Sequence, residues 1–504
     1  MSSDLPPNLA ALAKVQPGGF LTTDGGNAEQ FAADHGSLVR YCHPWAKWLA
    51  WDGRRWELDA RGRLMQQSKA TTRAMLREAA GEADDDRRKA RVRWAMASDS
   101  RPRREAMLAL AQSEPGIPVL PDELDRDPWR LCVQNGTVDL HTGELRRHDP
   151  RDLITKIAPV AFDPSADAPR WRRFLEEVLP DADVRSYVQR AAGYSLSGDV
   201  SEQCLFFAYG VGANGKSTFL ATLRDLLGDY AIQARPDLLM SHHGERHPTE
   251  LTDLYARRFV ATIEAEEGHR FDEALVKWLT GGDSIRARRM HEDLWEWRPT
   301  HKLWLAANYK PVIRGGDLAI WRRIRLVPFT VTIPEGQRDP HLVETLRGES
   351  AGILRWAVDG CLAWQADGMG APAAVRAATS EYQDEMDVIK RFISDHCTVG
   401  HFAQVSAKAL YKDFLGWCSD QRERDMSQQM FGRRLTDRGY QRERRRDGYW
   451  WTGIGLVLAT CEPCEPLEAN PGLFPNEKIS RGQSENSLER FTTFTPREPG
   501  EDDA

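Results

Sequence analysis

The run Gly210-Val-Gly-Ala-Asn-Gly-Lys-Ser217 fits the pattern G-x-x-x-x-G-K-[ST] at every fixed position. It follows an apolar, strand-like run, Cys204-Leu-Phe-Phe-Ala208, and precedes a helix-like one, Thr218 to Leu227. That context constrains the fold: a strand must deliver the loop, and a helix N-terminus must receive the anion. Gly210, Gly212 and Gly215 let backbone N–H groups turn toward phosphate oxygens. Lys216 places a point charge on the β/γ-phosphates, and Ser217 can ligate Mg2+. The loop is expected to be solvated. By itself it specifies a nucleoside triphosphate and nothing about the work done.

At 504 residues the chain has room for about three domains. Its 41% apolar and 28% charged content suit a soluble globular protein. There is no transmembrane-like run, and Met1-Ser-Ser-Asp-Leu-Pro-Pro7 lacks a signal layout, so a cytoplasmic location without membrane contact is expected. Most of the cysteines stand singly among apolar neighbours, as reduced thiols do; the close pair Cys461-Glu-Pro-Cys464 has no second ligand pair beside it. A formal net charge of −7 means that any contact with nucleic acid must come from local basic surfaces.

Residues 1–35 are rich in Gly, Asp and Asn and read as a flexible lead-in. Residues 36–165 read as an α+β domain, with a hairpin at Trp48–Trp51 and Arg55–Leu58, helices over 63–112 and a second hairpin at Leu131–Gly143. Asp84-Asp-Asp86 is expected on a solvated helix face or loop. A Pro/Asp/Ala-rich segment near 164–170 marks a junction, and the nucleotide-binding domain is placed at 166–370. Residues 380–455 read helix, helix, helix and aromatic hairpin, within a C-terminal domain placed at 375–455. From 460 to 504 an acidic, Pro-containing tail is expected to be disordered.

The segments after the loop narrow the chemistry. Arg258-Phe-Val-Ala-Thr-Ile263 is a strand that ends in Glu264-Ala-Glu266-Glu267. Carboxylates at a strand tip can hold Mg2+ and polarise the attacking water; Glu264 is the first candidate and Glu266 the second. Lys277-Trp-Leu-Thr-Gly-Gly-Asp283 then leads into two alternating flanks around Met290-His-Glu-Asp293, a hairpin carrying Arg286, Arg288, Arg289 and His291. Basic groups on a projecting hairpin suit a nucleic-acid backbone. Leu303–Ala307 is a further strand, tipped by Asn308, which is placed to sense the γ-phosphate or position the water. Arg322 and Arg323 precede another strand, where one of them could stabilise phosphoryl transfer in a neighbouring subunit. Gln421–Arg446 has nine arginines against four acids and approaches Tyr449-Trp-Trp451, so Arg442, Arg444 and Arg445 are candidate DNA contacts.

This order of motifs resembles the superfamily 3 helicases of the AAA+ class, and specifically the phage/plasmid and poxvirus-type primase–helicase family. The likeness covers about residues 40–455; its most specific pieces are Gly212–Thr218, Leu279–Asp283, Asn308–Pro311 and Asp317–Arg323. The resemblance implies an α/β protein: a P-loop AAA+ ATPase core, an α+β N-terminal domain and a winged-helix-like C-terminal domain that binds duplex DNA. It implies ATP and Mg2+ as cofactors, and a homo-oligomer, a hexameric ring, moving on single-stranded DNA with possible replication partner proteins. Gly210, Gly212, Asn214, Gly215, Lys216, Ser217 and Thr218 would hold the nucleotide, Glu264 would be the catalytic acid, and Arg322 or Arg323 the finger from the adjacent subunit. Lys277 and the hairpin would face the DNA channel.

Two departures stand out. No zinc-ribbon spacing or paired-carboxylate strand marks a polymerising site in residues 1–160, where Asp125-Arg-Asp127 is an isolated match. The second acid after Glu264 is also spaced unlike a plain D-E pair. The expected function is therefore a replicative DNA helicase of a phage, plasmid or integrated element. A primase–helicase, or an ATP-regulated initiator or defence protein that does not unwind, are the alternatives.

Overall fold

The computed structural model describes residues 20–241, 249–263, 268–287, 295–314 and 318–457. Strands are numbered in chain order. The first three, β1 (Val39–Cys42), β2 (Lys47–Trp51) and β3 (Trp56–Leu58), form an antiparallel sheet with Trp51 opposite Trp56. The turn between β2 and β3 is held by the Asp52 carboxylate, which accepts from the backbone N–H groups of Arg54 and Arg55. Three helices follow, Arg63–Ala80, Asp85–Ser98 and Arg101–Ala111. Asp84 caps the second by accepting from Arg87 N, and Asp85 pairs with Arg88 and Lys89, so this acidic cluster is a helix start.

The expectation of a flexible lead-in over 1–35 needs correction at residues 24–35, while residues 1–19 lie outside the described residues. Asp24–His35 is a helix, N-capped by Thr23 Oγ1 (3.0 Å to Gly26 N). Its Ala28 and Phe31 are buried against Met107 and Ala111. The Gly and Asp residues that suggested a loop are its first turn, where an acid and small residues are at home.

Strands β4 (Arg130–Val133), β5 (Gly136–Asp139) and β6 (Glu144–Arg146) make a second antiparallel meander. The central sheet is parallel throughout. It consists of β7 (Leu205–Tyr209), β8 (Ala231–Gln233), β9 (Phe259–Ile263), β12 (Lys302–Ala307) and β13 (Ile324–Pro328), in the order β13-β7-β12-β9-β8. Its inner strands β7, β12 and β9 are buried on both faces and are mostly apolar, whereas the edge strands carry Arg325 on β13 and an exposed Gln233 on β8. Phe206, Ala208, Trp304 and Ala306 point into one core, beneath helices Pro169–Val178, Ala182–Tyr194, Lys216–Leu227 and Ser350–Asp367. Leu205, Phe207, Leu303 and Leu305 point into the other, beneath Glu273–Thr280 and Ala373–Met386. The first core also takes in Leu131, Val133 and Val138, so the β4–β6 meander is packed into the same apolar body as the parallel sheet.

Two cations are buried where the sheet strands begin. Arg258 donates to Leu196 O (2.6 Å) and Arg130 O (2.7 Å), and Lys302 to Thr300 O and to the Ser197 carbonyl. Leu196 and Ser197 lie just past the C-terminus of helix Ala182–Tyr194, where free carbonyls favour a positive charge.

After helix Val388–His396 comes β14 (Cys397–Ser406), then helices Ala407–Asp420 and Gln428–Asp437, then β15 (Gln441–Arg445) and β16 (Gly448–Leu456), with sheet order β14-β16-β15. The sequence expectation of three helices in a row missed β14. Its stretch Cys-Thr-Val-Gly-His-Phe-Ala-Gln-Val-Ser carries the β-branched and aromatic residues of a strand.

Candidate nucleotide site and basic hairpin

Strand β7 delivers its loop between β13 and β12, and the helix Lys216–Leu227 starts at the loop's end. Gly215 stands before that helix at φ +83°, and no side chain caps the first turn, which leaves its N–H groups open to an anion. A Cβ on Gly215 would lie 2.6 Å from Val178 Cγ1 and 3.0 Å from Phe174 Cε2; one on Gly210 would lie 2.1 Å from Phe329 O. Gly212, by contrast, faces open space. The loop is further pinned to the exit of β13: Asn214 Nδ2 donates to Phe329 O (3.1 Å), and Ile333 N to Ala213 O (2.8 Å).

Lys216 is not the solvated side chain that the sequence suggested. It is 5% exposed. Its ammonium donates to Gly210 O (2.6 Å), Asn214 Oδ1 (2.9 Å) and Asn308 Oδ1 (3.0 Å). All three acceptors are neutral, and burial pulls its pKa down to about 8. Asn308 reaches it because β12 lies between β7 and β9, with Ala307 in register with Tyr209. Ser217 is exposed and Thr218 half-buried in the first helical turn. Glu264 and Glu266 lie outside the described residues, just past the end of β9 at Ile263.

The two candidate finger arginines differ sharply. Arg322 is exposed. Arg323 is 7% exposed and donates to Thr280 Oγ1 (3.0 Å) and Ala319 O (2.8 Å). Arg323 is therefore held by partners within its own chain, whereas Arg322 lies at the surface.

Strands β10 (Ile285–Ala287) and β11 (Trp295–Trp297) pair antiparallel, with Arg286 directly opposite Glu296. Arg288, Arg289 and His291 lie outside the described residues. Lys277 is half-buried on the preceding helix, Glu273–Thr280, not on the hairpin itself. The hairpin base rests on an aromatic cluster that sequence reasoning missed. Trp295 packs against Tyr255 (centroids 4.6 Å), Trp297 (4.4 Å) and Trp45 (6.0 Å), and Tyr255 also donates to Pro121 O (2.6 Å). Trp45 precedes β2, far away in sequence, so no local pattern announces this contact.

In the C-terminal sheet the three candidate arginines do not share a face. Arg442 and Arg444 alternate with Arg445, which is half-buried over Trp450 and pairs with Glu443 (3.1 Å); Arg442 lies over Tyr449 (3.9 Å). Asp125 and Asp127 have structural partners: Asp125 accepts from Thr155 N (2.7 Å), and Asp127 pairs with Arg130 (2.8 Å).

Fold and site together define a mixed α/β protein whose parallel sheet presents a phosphate-type loop beside a polar strand tip. Residues 28–180 match the family model described as D5 N terminal like. The chain is 26% identical over 319 residues to a mimivirus (Acanthamoeba polyphaga mimivirus) protein named "Putative helicase", covering 58% of this chain and 33% of that one. It is 23% identical over 211 residues to an African swine fever virus protein named "Putative primase", covering 40% of this chain and 22% of that one. The chain thus spans about a third or less of these two relatives' length. Among solved structures, the apo NrS-1 C-terminal region aligns over 85% of this chain and 100% of that chain, at 8% identity and a TM-score of 0.47. The family model and the viral relatives support the resemblance to a primase–helicase family. No helix among the described residues is long and apolar enough to cross a membrane.

Proposed function

We propose that this chain is an ATP-dependent replicative DNA helicase of the superfamily 3, AAA+ type, working as a homo-oligomeric ring on single-stranded DNA. The observation that carries the reading is the convergence of Lys216, Asn214 and Asn308 at one end of the parallel sheet, between the P-loop and the tip of the strand beside β9. Mg-ATP bound there would supply the phosphoryl group to be hydrolysed. The open first turn of the helix and Gly212 would receive the phosphates, and Ser217 with Glu264 would hold the metal. Lys216 would exchange neutral acceptors for phosphate oxygens. Asn308 would hold Lys216 in place and face the γ-phosphate, and Arg322 from a neighbour would add the remaining positive charge.

The strand order supports an AAA+ core. The order helix, strand, helix, helix, strand, strand over 388–456 supports a winged helix, in which Arg442 and Arg444 on one face of β15 would meet duplex DNA. A bifunctional primase–helicase is the second reading, favoured by the viral relative named as a primase. The deciding experiment is strand displacement on forked DNA with and without ATP, run with particle imaging for rings. ATP-dependent displacement by a ring supports the proposal, and primer synthesis from ribonucleotides supports the second reading. DNA binding without turnover would overturn both.

A further inference from the structure

Beyond the loop that follows Asn308, a cleft of about 640 Å3 opens between the ATPase body and the C-terminal module. One wall is the end of that loop, Val312–Arg314; the other is the turn 422–427 and the start of helix Gln428–Asp437. Its lining is rich in arginine although the whole chain carries a net charge of −7. Arg314, Arg422 and Arg424 are exposed and have no carboxylate within ion-pair distance among the described residues. Two of the three lining carboxylates are already engaged, Glu423 by Arg391 and Glu385 by Lys310 (2.7 Å). Ile313, Met386 and Met430 supply apolar surface within the same cleft.

Planar guanidinium groups left unpaired around an apolar surface suit a ligand with repeated anionic groups and flat apolar faces. A small inorganic anion would use the arginines and leave the apolar surface unsatisfied. A single nucleic-acid strand uses both, its phosphates on arginine and its bases on the side chains between. The position is also informative. Along the loop, Asn308 touches Lys216, Lys310 pairs with Glu385, Pro311 O accepts from Tyr382, and Arg314 O accepts from Arg434 Nη2 (2.9 Å). One short segment therefore runs from the nucleotide site to the cleft.

We infer that this cleft binds a single-stranded nucleic-acid segment, at a site separate from the β10–β11 hairpin. The inference deepens the helicase reading and rests on it for the source of the strand. The test uses the full chain, a fluorescein-labelled oligothymidylate, and the same oligonucleotide carrying 4-thiothymidine for cross-linking. Arg314→Ala with Arg424→Ala removes two exposed cations; an unchanged melting temperature would establish that this variant is folded. Two lost phosphate contacts should lower the slope of log affinity against log salt by about 1.4, and weaken binding at 0.1 M salt on the order of tenfold. Cross-linked peptides from wild type should include residues 422–430. The site is overturned if affinity and slope are unchanged and cross-links map elsewhere. It is also overturned if polyglutamate displaces the strand at equal charge concentration, which would make the cleft a site for an acidic protein. ATP turnover and strand displacement by wild type are measured in parallel. Their absence with cleft binding intact would sink the helicase reading alone, and their presence with an indifferent cleft would sink this inference alone. If the double variant unfolds, Arg314→Gln and the cross-link map on wild type decide the matter.

Discussion

Lys216 Nζ donates to Asn308 Oδ1 at 3.0 Å, joining the end of the P-loop to the tip of a strand ninety-two residues later. Among the described residues the lysine has no anionic hydrogen-bond partner, so it is held as a buried cation by neutral oxygens that a phosphate would outcompete. Removing Asn308 therefore loosens the lysine without removing it. Asn308→Ala should lower ATP turnover by about 10- to 100-fold, the range of a lost preorganised polar contact, while nucleotide affinity changes several-fold at most. Lys216→Ala should abolish turnover. Steady-state ATPase assays with direct nucleotide titration check both.

On the proposed reading, the depressed pKa of Lys216 should make nucleotide binding depend on pH. Without nucleotide the ammonium loses its proton as pH rises through about 8, whereas bound phosphate would favour the charged form. Affinity for a non-hydrolysable ATP analogue should hold below pH 7.5, then fall toward about tenfold per pH unit, with proton uptake on binding. Calorimetry in buffers of different ionisation enthalpy measures that uptake. Binding that is flat from pH 7 to 9.5 would contradict the assignment.

Arg322 and Arg323 should separate cleanly. Arg323→Ala leaves a hole beside Thr280 and Ala319 and should lower the melting temperature. Arg322→Ala should leave stability alone and remove turnover. Mixing Arg322→Ala with Lys216→Ala subunits should restore part of the ATPase activity, because a mixed ring can still pair one intact loop with one intact finger. No recovery at any mixing ratio would argue against a site shared between subunits.

Gly215→Ala combines a left-handed φ with contacts under 3.1 Å to Val178 and Phe174. It should cost about 1–3 kcal/mol of stability and most of the nucleotide affinity. Gly212→Ala, at a position that opens on solvent, should cost much less stability. Thermal melts of the two variants make the comparison.

His301 supplies an acid-side prediction. It is 3% exposed, and burial, helped by neighbouring Lys302, pulls its pKa down to about 4. A base with a lowered folded pKa binds fewer protons than in the unfolded chain, so stability rises with pH across this window. It is fully present above the unfolded value near 6.5 and declines as pH falls toward 4. His301→Leu should flatten that decline in melting temperature between pH 6.5 and 4.5. An unchanged slope would place the acid sensitivity in other groups.

Features written in local chemistry were legible from sequence: the Gly210–Ser217 loop, the strands at 204–208, 258–263 and 303–307, and the hairpins at 48–58 and 285–297. Each rests on periodicity or turn residues within a dozen positions. The misreadings came where distant partners decide. Asp24–His35 is a helix because Phe31 finds Met107, and Lys216 is buried because two asparagines and a carbonyl close around it. Arg322 and Arg323 are adjacent and identical, and only the helical geometry of 318–321 turns one outward and one inward. Trp45 and Trp295 meet through tertiary packing that no window of sequence spans.

The apolar body shared by the β4–β6 meander and the parallel sheet bears on how the protein is made. Trp129 stacks on Trp364 (5.9 Å), Leu140 O accepts from Gln365 Nε2 (2.7 Å), and Leu131 and Val138 share their core with Cys361 and Val375. Residues 130–146 therefore reach the ribosome exit more than two hundred residues before their partners on helix Ser350–Asp367. At about 5–20 residues per second, that leaves roughly ten seconds or longer in which the part of their apolar surface that faces this helix lacks its cover. A nascent chain of this length is a natural client for a chaperone, and truncations ending before residue 350 should aggregate rather than fold.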